Sequence, residues 1–268
     1  MPTQVLLTND DGIDSRGLAA VHEQLQRVAD VTVVAPADNQ SGVGRSRSRT
    51  VDVDNHERGY AVHGTPVDCV AYAVAGLETE FDLVVSGCNL GPNCGAYGLG
   101  YSGTVGAVVE GAFLGLPGIA ASGYHREEFF PPRDTPYDVP ATVTRRLVER
   151  ALSGDALDRV GYLNVNAPVE REGHYRVTRP LTDYEVSVGA DEEEEGDDVR
   201  FHTRGWPTVS TEERFPRLAD ADGDYPPHSD RAAVVAGDVS VSPLREPQEP
   251  VHDPAVDELV VSCNETAE

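Results

Sequence analysis

The chain alternates short apolar runs with amphipathic stretches, most clearly in its first half. Apolar runs predict strands at residues 4–8, 31–35, 81–86, 118–122 and 160–165. Apolar positions at helical spacing predict helices at residues 17–28, 66–77, 104–114 and 143–152. Strands that alternate with helices form a mostly parallel sheet with helices on both faces, so we expect an α/β fold.

The second half of the chain is less regular. From residue 170 to 227 proline, glycine and acidic residues dominate, with short alternating stretches such as 184–188, before ordered patterning returns at 232–241. We therefore expect three parts: an α/β catalytic core over 1–168, a hairpin and loop excursion over 169–228, and a C-terminal element over 229–268. Because the excursion would pack poorly on its own core, we expect it to serve as an arm in a homodimer or homotetramer, with the C-terminal element returning to the core or to a partner subunit.

Acidic residues greatly outnumber basic ones. The 268 residues include 46 Asp and Glu against 21 basic residues, giving a net charge of −25, and every basic residue is Arg. Acid excess without lysine is typical of a halophile's solvated surface, so stability and activity should rise with salt into the molar range. The same charge repels nucleic-acid backbones, so we expect no nucleic-acid partner. The like-charge run at 191–198 predicts a solvated loop.

The absence of lysine excludes several classes of enzyme. P-loop enzymes, Schiff-base enzymes, short-chain dehydrogenases and haloacid-dehalogenase-type phosphatases all need a lysine. The cysteines show no C-x-x-C spacing and predict small buried residues rather than zinc ligands or disulfides: Cys69, Cys88, Cys94 and Cys263. No apolar run has the length of a membrane span and no basic-then-apolar leader is present, so we expect a cytoplasmic protein without a membrane partner.

Three predicted strands end in segments rich in oxygen-bearing side chains. These segments are Asn9-Asp10-Asp11-Gly12, then 36–42, then 87–93. Because the carboxyl ends of parallel strands share one sheet edge, the structure should bring together Asp10, Asp11, Ser41 and Asn89. Two carboxylates, a hydroxyl and an amide oxygen suit Mg²⁺ or Mn²⁺ with waters and do not suit zinc. The alternative for 9–12 is an ordinary turn, since Asn, Asp and Gly are common turn residues.

The predicted helix at 104–114 begins beside a candidate anion site. Ser102 or Thr104 can cap this helix, and its free N–H groups can bind an anion. An ordinary N-cap is the alternative interpretation. A cation site and a helix N-terminus at the same sheet edge favour a phosphoester bound between them.

Six segments resemble, in the expected order, the motifs of the SurE family of metal-dependent nucleotidases. They are TNDDGIDSRG, VVAPADNQSG, GTPVDC, DLVVSGCNLGPN, YSGTVGAVVEGAFLG and LNVNAP, and the similarity runs from about residue 4 to 168. A tail from Ser229-Asp230 to Ser242-Pro243-Leu244 also fits. Two segments depart from the pattern: the loop at 94–100 is longer and richer in glycine, and 170–227 is heavily acidic.

The resemblance implies a Rossmann-like core, dimers or tetramers built with C-terminal arms, and hydrolysis of nucleoside 5′- or 3′-monophosphates. It implies one divalent cation per subunit, Mg²⁺ or Mn²⁺, with these ligands: Asp10, Asp11, Ser41 and Asn89. Asp10 and Asp11 are also the implied catalytic residues. The implied phosphate-binding and active-site positions are Asn9, Asn93, Ser102, Gly103 and Thr104.

The expected chemistry is in-line attack of water on phosphorus. A cation at Asp10 and Asp11 would polarise the phosphate and activate the water, while the start of the helix at 104–114 stabilises the equatorial oxygens. Direct attack by Asp10 or Asp11 through a phospho-aspartyl intermediate is the alternative. Two other functions stay open: a short-chain polyphosphate or sugar-phosphate phosphatase, and a nucleotide-binding module without catalysis.

Residues 45–54 and 59–63 alternate like a hairpin or two extended arms. An extended strand would place Arg45, Arg47 and Arg49 on one face, which favours a surface or subunit-contact stripe over substrate binding. His63 and Asp68 flank the start of the helix at 66–77. For His63 a structural role in the turn and contact with a nucleotide base are the two interpretations, and Asp68 favours the helix dipole.

Overall fold

The computed structural model describes residues 3–127, 131–132, 134–154, 157–182, 185–190, 199–204, 225–245 and 254. The strands are β1 (Gln4–Thr8), β2 (Asp30–Pro36), β3 (Val53–His56), β4 (Gly59–Val62), β5 (Leu83–Leu90), β6 (Gly118–Tyr124), β7 (Tyr162–Pro168), β8 (Tyr175–Val177), β9 (Glu185–Ala190), β10 (Val199–Arg204) and β11 (Val239–Leu244). The helices are α1 (Arg16–Leu25), α2 (Pro66–Gly76), α3 (Ala96–Tyr101), α4 (Gly103–Phe113), α5 (Asp138–Leu152) and α6 (Asp230–Val235), with a 3-10 turn at Leu157–Arg159.

Nine of these strands form one sheet in the order β3-β4-β2-β1-β5-β6-β7-β11-β8. β1 pairs in parallel with β2 and β5, and parallel pairing continues through β6 to β7. The antiparallel pairs lie towards the two sides of the sheet, where β3 pairs with β4 and β11 pairs with β7. β9 and β10 form a separate antiparallel pair. The predicted α/β fold with a mostly parallel sheet is confirmed.

The alternating side chains of β1 explain why helices cover both faces of the sheet. Val5 and Leu7 lie in one buried cluster with residues of α1 and α5, whereas Leu6 lies in the opposite cluster with residues of α2 and α4. All three side chains are fully buried. Since burying a large aliphatic side chain contributes about 1.5–3 kcal/mol, a central strand of this composition favours a helical layer on each side.

Two elements differ from the predicted ones in ways that affect the candidate site. β5 continues to Leu90 instead of ending at 86, because its pairing with β6 resumes at Asn89 after an irregularity. The glycine-rich segment 94–100 contains α3, which sequence propensity disfavours. The N–H of Ala96 donates to the carbonyl of Leu181 at 2.6 Å, so contact with a distant segment supports this helix.

The predicted hairpin of residues 45–54 and 59–63 is confirmed only where β3 and β4 pair, and the extended arm predicted before Val53 is wrong. Residues 45–52 form no strand, and only Val53–His56 pairs with β4. The N–H of Ser48 instead donates to the Asp68 carboxylate at 2.8 Å. The three arginines of this segment therefore do not share a strand face.

Two of the described strands beyond residue 168, β8 and β11, join the main sheet. β11 lies against β7, and β8 runs parallel beside β11. The division into 1–168, 169–228 and 229–268 stays a prediction, and the acidic run at 191–198 lies outside the described residues. Cys69, Cys88 and Cys94 are free and buried as expected, while Cys263 also lies outside the described residues. Within the described ranges, no helix is long and apolar enough to cross a bilayer.

Candidate active site

The turn after β1 is held by the side chain of Asn9. Its amide nitrogen donates to the carbonyl of Gly12 at 2.9 Å and to the hydroxyl of Ser15 at 2.7 Å. Ser15 is also the N-cap of α1, where its hydroxyl accepts from the N–H of Leu18. Asn9 is fully buried, and its Oδ1 has no hydrogen-bond partner among the described residues. Asn9 therefore shapes the turn that presents Asp10 and Asp11, so the turn and site interpretations of this stretch are compatible.

Asp10 lies against the start of α4. The Thr104 hydroxyl donates to Asp10 Oδ1 at 2.5 Å, and a Cβ atom at position 103 would lie 2.8 Å from the Asp10 Cβ. Glycine at 103 is therefore what allows α4 to approach this carboxylate. Burial raises the pKa of Asp10, while hydrogen bonds from the Thr104 side chain and from backbone groups at 103 and 104 act in the opposite direction.

Asp11 links the loop that follows β2 to the end of β5. Its Oδ2 accepts from the N–H of Leu90 at 3.0 Å, and its Oδ1 accepts from the side-chain amide of Asn39 at 3.3 Å. Burial and the neighbouring charge of Asp10 raise the pKa of Asp11 to about 6. Asn39 was not among the predicted site residues. The available signals were its position in the loop after β2 and its place in the segment VVAPADNQSG.

The two neutral residues of the predicted cation set lie beside this pair. Asn89 is on β5 and precedes Leu90, whose N–H donates to the Asp11 carboxylate. The side-chain amide nitrogen of Asn89 donates to the carbonyl of Gly91 at 2.7 Å. Its carbonyl oxygen is thus the end available as a ligand. Ser41 is exposed, and its backbone N–H donates to Asn39 Oδ1 at 3.0 Å. Asn39 in turn donates to Asp11, so Ser41 is connected to the carboxylate pair through Asn39.

The chemistry of these donors fits a hard divalent cation. Two adjacent carboxylates at a mostly buried sheet edge both have raised pKa values, so their ionised forms lack enough compensating positive charge. Across the described residues, no group of three or more His, Cys, Asp or Glu side chains is placed to bind a metal. A cation bound here would therefore depend on two carboxylates and neutral oxygens, which suit Mg²⁺ or Mn²⁺ better than zinc.

At the predicted anion site at the start of α4, the hydroxyl groups of Ser102 and Thr104 both form hydrogen bonds within the protein. Ser102 is the N-cap of α4, and its hydroxyl accepts from the N–H of Val105 at 3.1 Å. Thr104 donates to Asp10, as described above. Both residues lie at the same sheet edge as the carboxylate pair, so a phosphate bound there would contact groups that already belong to one hydrogen-bonded cluster.

Asn93 is fixed by two asparagines of β7. Its N–H donates to Asn166 Oδ1 at 2.8 Å, and its carbonyl accepts from Asn164 and Asn166 at 2.9 and 3.0 Å. Its own side-chain amide donates to the Ser122 hydroxyl at 2.9 Å. Sequence reasoning gave these β7 asparagines no role. The available signal was their spacing of two, which places both on one face of a strand near its carboxyl end.

Of the remaining candidates, Arg45, Arg47 and His63 have structural partners. The Arg45 guanidinium carbon lies 4.5 Å from the centre of the Phe113 ring, and Arg47 lies 3.5 Å from the Glu110 carboxylate, so both contact α4. His63 is exposed and pairs with the Asp54 carboxylate at 2.9 Å, a hydrogen bond that raises the pKa of His63.

A family model, curated relatives and a solved structure all show similarity of this chain to the same family. The family model described as survival protein SurE matches residues 5–186. Relatives named 5′-nucleotidase SurE occur in halophilic archaea. That of Natronomonas pharaonis is 47% identical over 251 residues, covering 91% of this chain and 93% of the relative. That of Haloarcula marismortui is 45% identical over 263 residues, covering 95% and 93%. The crystal structure of the SurE protein from Aquifex aeolicus matches with a TM-score of 0.73 and 32% identity, covering 97% of this chain and 99% of that one.

Proposed function

Because the chain belongs to the SurE family, we propose that it is a 5′-nucleotidase, which hydrolyses nucleoside 5′-monophosphates to nucleoside and phosphate. The observation that carries this proposal is the pair Asp10 and Asp11 at the carboxyl edge of the sheet, beside the start of α4. Paired carboxylates with raised pKa values are expensive to bury in a domain that only binds an anion. Their presence favours a catalytic site.

We propose that activity requires a divalent cation bound by Asp10, Asp11, Asn89 and Ser41. Mg²⁺ and Mn²⁺ both fit the all-oxygen set. When bound, such a cation supplies positive charge that polarises the phosphoryl group and helps to activate water.

The protein's own groups orient the reaction. The Asn9 amide holds the turn, and Thr104 and Leu90 hydrogen-bond the two carboxylates, so neither Asp10 nor Asp11 has to reorganise when substrate binds. The phosphate would bind between this pair and the segment from Asn93 to Ser102. In-line attack by water stays our proposal for the nucleophile, with attack by Asp10 or Asp11 as the alternative.

The test is phosphate release from a panel of substrates in molar salt, with Mg²⁺ or Mn²⁺ and with chelator. AMP, GMP and a 3′-monophosphate test the nucleotidase proposal, while short polyphosphate and a sugar phosphate test the alternative phosphatases. We expect the fastest turnover with a nucleoside 5′-monophosphate. Equal or faster turnover of polyphosphate or sugar phosphate would instead assign the site to that class. Binding of nucleotide without any phosphate release would assign the chain to the non-catalytic alternative.

A homo-oligomer is also part of the proposal. Three valines on β8 and β9 are largely exposed, with Val177 at 77%, Val186 at 51% and Val188 at 57%. Exposed valines on strands outside the core support a subunit contact there. Light scattering in high salt should give at least twice the mass of one chain, and a monomer at assay concentrations would overturn the proposal. A cytoplasmic location stays a prediction.

A further inference from the structure

The C-terminal segment carries a buried carboxylate, Asp230, that lies outside the catalytic pair. It begins α6 and is completely inaccessible to solvent. Its Oδ2 accepts from the N–H of Gly95 at 2.7 Å, and its Oδ1 accepts from the N–H groups of Arg231 at 2.8 Å and Leu181 at 3.4 Å. Asp230 thus connects α6, the segment after β8, and the loop that follows β5.

Capping of α6 does not account for this carboxylate. The N-cap is Ser229, whose hydroxyl accepts from the N–H of Ala232 at 3.1 Å. The shortest hydrogen bond of Asp230 instead goes to a residue 135 positions earlier in the chain. Because a buried carboxylate is costly without such donors, the bond from the Gly95 N–H both compensates Asp230 and holds the loop.

The loop that Asp230 contacts leads from one predicted substrate residue to another. Gly95 follows Asn93 by two residues, and α3 then leads directly to Ser102. Gly95 has a φ of +77°, and a Cβ atom there would lie 2.8 Å from the Arg231 guanidinium. The backbone at 95 is therefore enclosed by Asp230 and Arg231, while the β7 asparagines fix the backbone at 93.

We propose that Asp230 is a positioning residue for hydrolysis, which fixes the loop at Gly95 and so, together with the β7 asparagines at Asn93, holds the segment from Asn93 to Ser102 in place beside Asp10 and Asp11. This inference depends on the proposed nucleotidase function. Loss of the Gly95 contact would release the loop on the substrate side of the site, while the bonds of Asp10 to Thr104 and of Asp11 to Leu90 stay in place. Substrate placement should therefore suffer more than the carboxylate pair itself.

The test compares Asp230→Ala and Asp230→Asn with a matched control, Asp238→Ala. Asp238 follows α6 in the same segment, and its carboxylate accepts from the N–H of His174 at 3.2 Å and lies 3.5 Å from Arg176, away from the loop. We expect Asp230→Ala to lower kcat/KM for AMP by about 100-fold, through both kcat and KM. Asp230→Asn, which keeps one acceptor oxygen, should lose less, and Asp238→Ala should stay within about 3-fold of wild type.

Amide hydrogen exchange gives a readout that does not depend on turnover. Residues 91–101 should exchange faster in Asp230→Ala than in wild type, and at the wild-type rate in Asp238→Ala. If Asp230→Ala does not fold by circular dichroism, the isosteric Asp230→Asn decides both measurements.

The outcomes separate this inference from the proposed function. Wild-type protein that releases no phosphate from any nucleotide overturns the nucleotidase proposal together with the role of Asp230 in hydrolysis. If wild type is active and Asp11→Asn is not, then wild-type kcat and KM in folded Asp230 variants overturn the inference alone. Equal losses in Asp230→Ala and Asp238→Ala also overturn it, because they would show only a general structural effect.

Discussion

Two regions of this protein place carboxylates close to the N-terminus of a helix, Asp68 at α2 and the pair Asp10 and Asp11 at α4, and the surroundings of the two differ. At the start of α2, Asp68 accepts from the N–H of Ser48 at 2.8 Å, and from the N–H and hydroxyl of Thr65 at 2.8 and 3.0 Å. At the sheet edge, Asp11 accepts one backbone N–H at 3.0 Å and one side-chain amide at 3.3 Å, and a second carboxylate, Asp10, adjoins it.

The difference appears in the direction of the pKa shifts. Burial acts to raise the pKa of Asp68, but hydrogen bonds from Thr65 and Ser48 outweigh it and hold that pKa below the ordinary value. Burial and the charge of Asp10 raise the pKa of Asp11 to about 6. The comparison teaches that hydrogen bonds can stabilise a lone ionised carboxylate, whereas burial and an adjoining charge leave two neighbouring carboxylates uncompensated, as a cation site would require.

Asp230 shows that burial alone does not mark a cation site. Its pKa is raised, chiefly by burial, although three backbone N–H groups hydrogen-bond its carboxylate. Its charged neighbour in sequence is Arg231, not a second acid. The adjoining carboxylate is therefore the feature that distinguishes Asp10 and Asp11.

The largest expected effect is on catalysis. Asp11→Asn should lower kcat for AMP by more than about 100-fold in the presence of Mn²⁺ or Mg²⁺, because a cation ligand is lost while the side chain keeps its shape. Asp68→Asn is the matched control and should keep kcat near that of wild type. Phosphate release and circular dichroism on both variants check this. Near-wild-type turnover by folded Asp11→Asn would contradict the assignment of the site.

The second effect is stabilisation by metal. A ligand present at about 100 times its Kd adds about 2.7 kcal/mol to the free energy of unfolding, so Mn²⁺ should raise the Tm of wild type and of Asp68→Asn. It should not raise the Tm of Asp11→Asn. Ser41→Ala should keep most of the increase, since water can replace a neutral hydroxyl. Thermal melts with and without Mn²⁺, in chelator-treated protein, measure all four. Equal increases in wild type and Asp11→Asn would place the cation elsewhere.

The third effect is on the stability of the metal-free protein. Asp68→Ala removes the capping box of α2 and the acceptor for Ser48, so it should lower the free energy of unfolding by about 1–2 kcal/mol. Asp11→Asn should instead leave the metal-free Tm unchanged or higher, because it removes repulsion between neighbouring carboxylates. Denaturant and thermal melts of both variants in the presence of chelator measure these two changes in stability. A larger loss of stability in Asp11→Asn than in Asp68→Ala would reverse the comparison.

The smallest expected effect is on the pH dependence of stability, to which Asp11 and Asp68 contribute with opposite signs. The raised pKa of Asp11 contributes stability that is complete below its unfolded-state value of 3.8 and is lost as the pH rises through about 6. The lowered pKa of Asp68 contributes stability that is present above 3.8 and is lost as the pH falls through its lower folded-state value. In metal-free protein, Asp11→Asn should thus flatten the decline in Tm between about pH 4 and pH 7. An unchanged slope in that variant would argue against the raised pKa.

The sequence by itself determined the alternation of the core strands and helices and the sheet edge where Asp10 and Asp11 lie. Apolar periodicity is a local property, and the parallel arrangement follows from the alternation of elements, so the placement of Asp10, Asp11 and Asn89 could be predicted without contacts. The Thr65–Asp68 start of α2 was equally local, because a capping box spans only four residues.

Only the tertiary structure decided which groups hold the site in place. Asp11 meets the Leu90 N–H across 79 positions, Asn93 meets Asn166 across 73, and Gly95 meets Asp230 across 135. No periodicity encodes such pairings, because they depend on where separate elements lie once the core has packed. The same holds for the pKa of Asp11, since burial and the distance to neighbouring charges exist only in the folded chain.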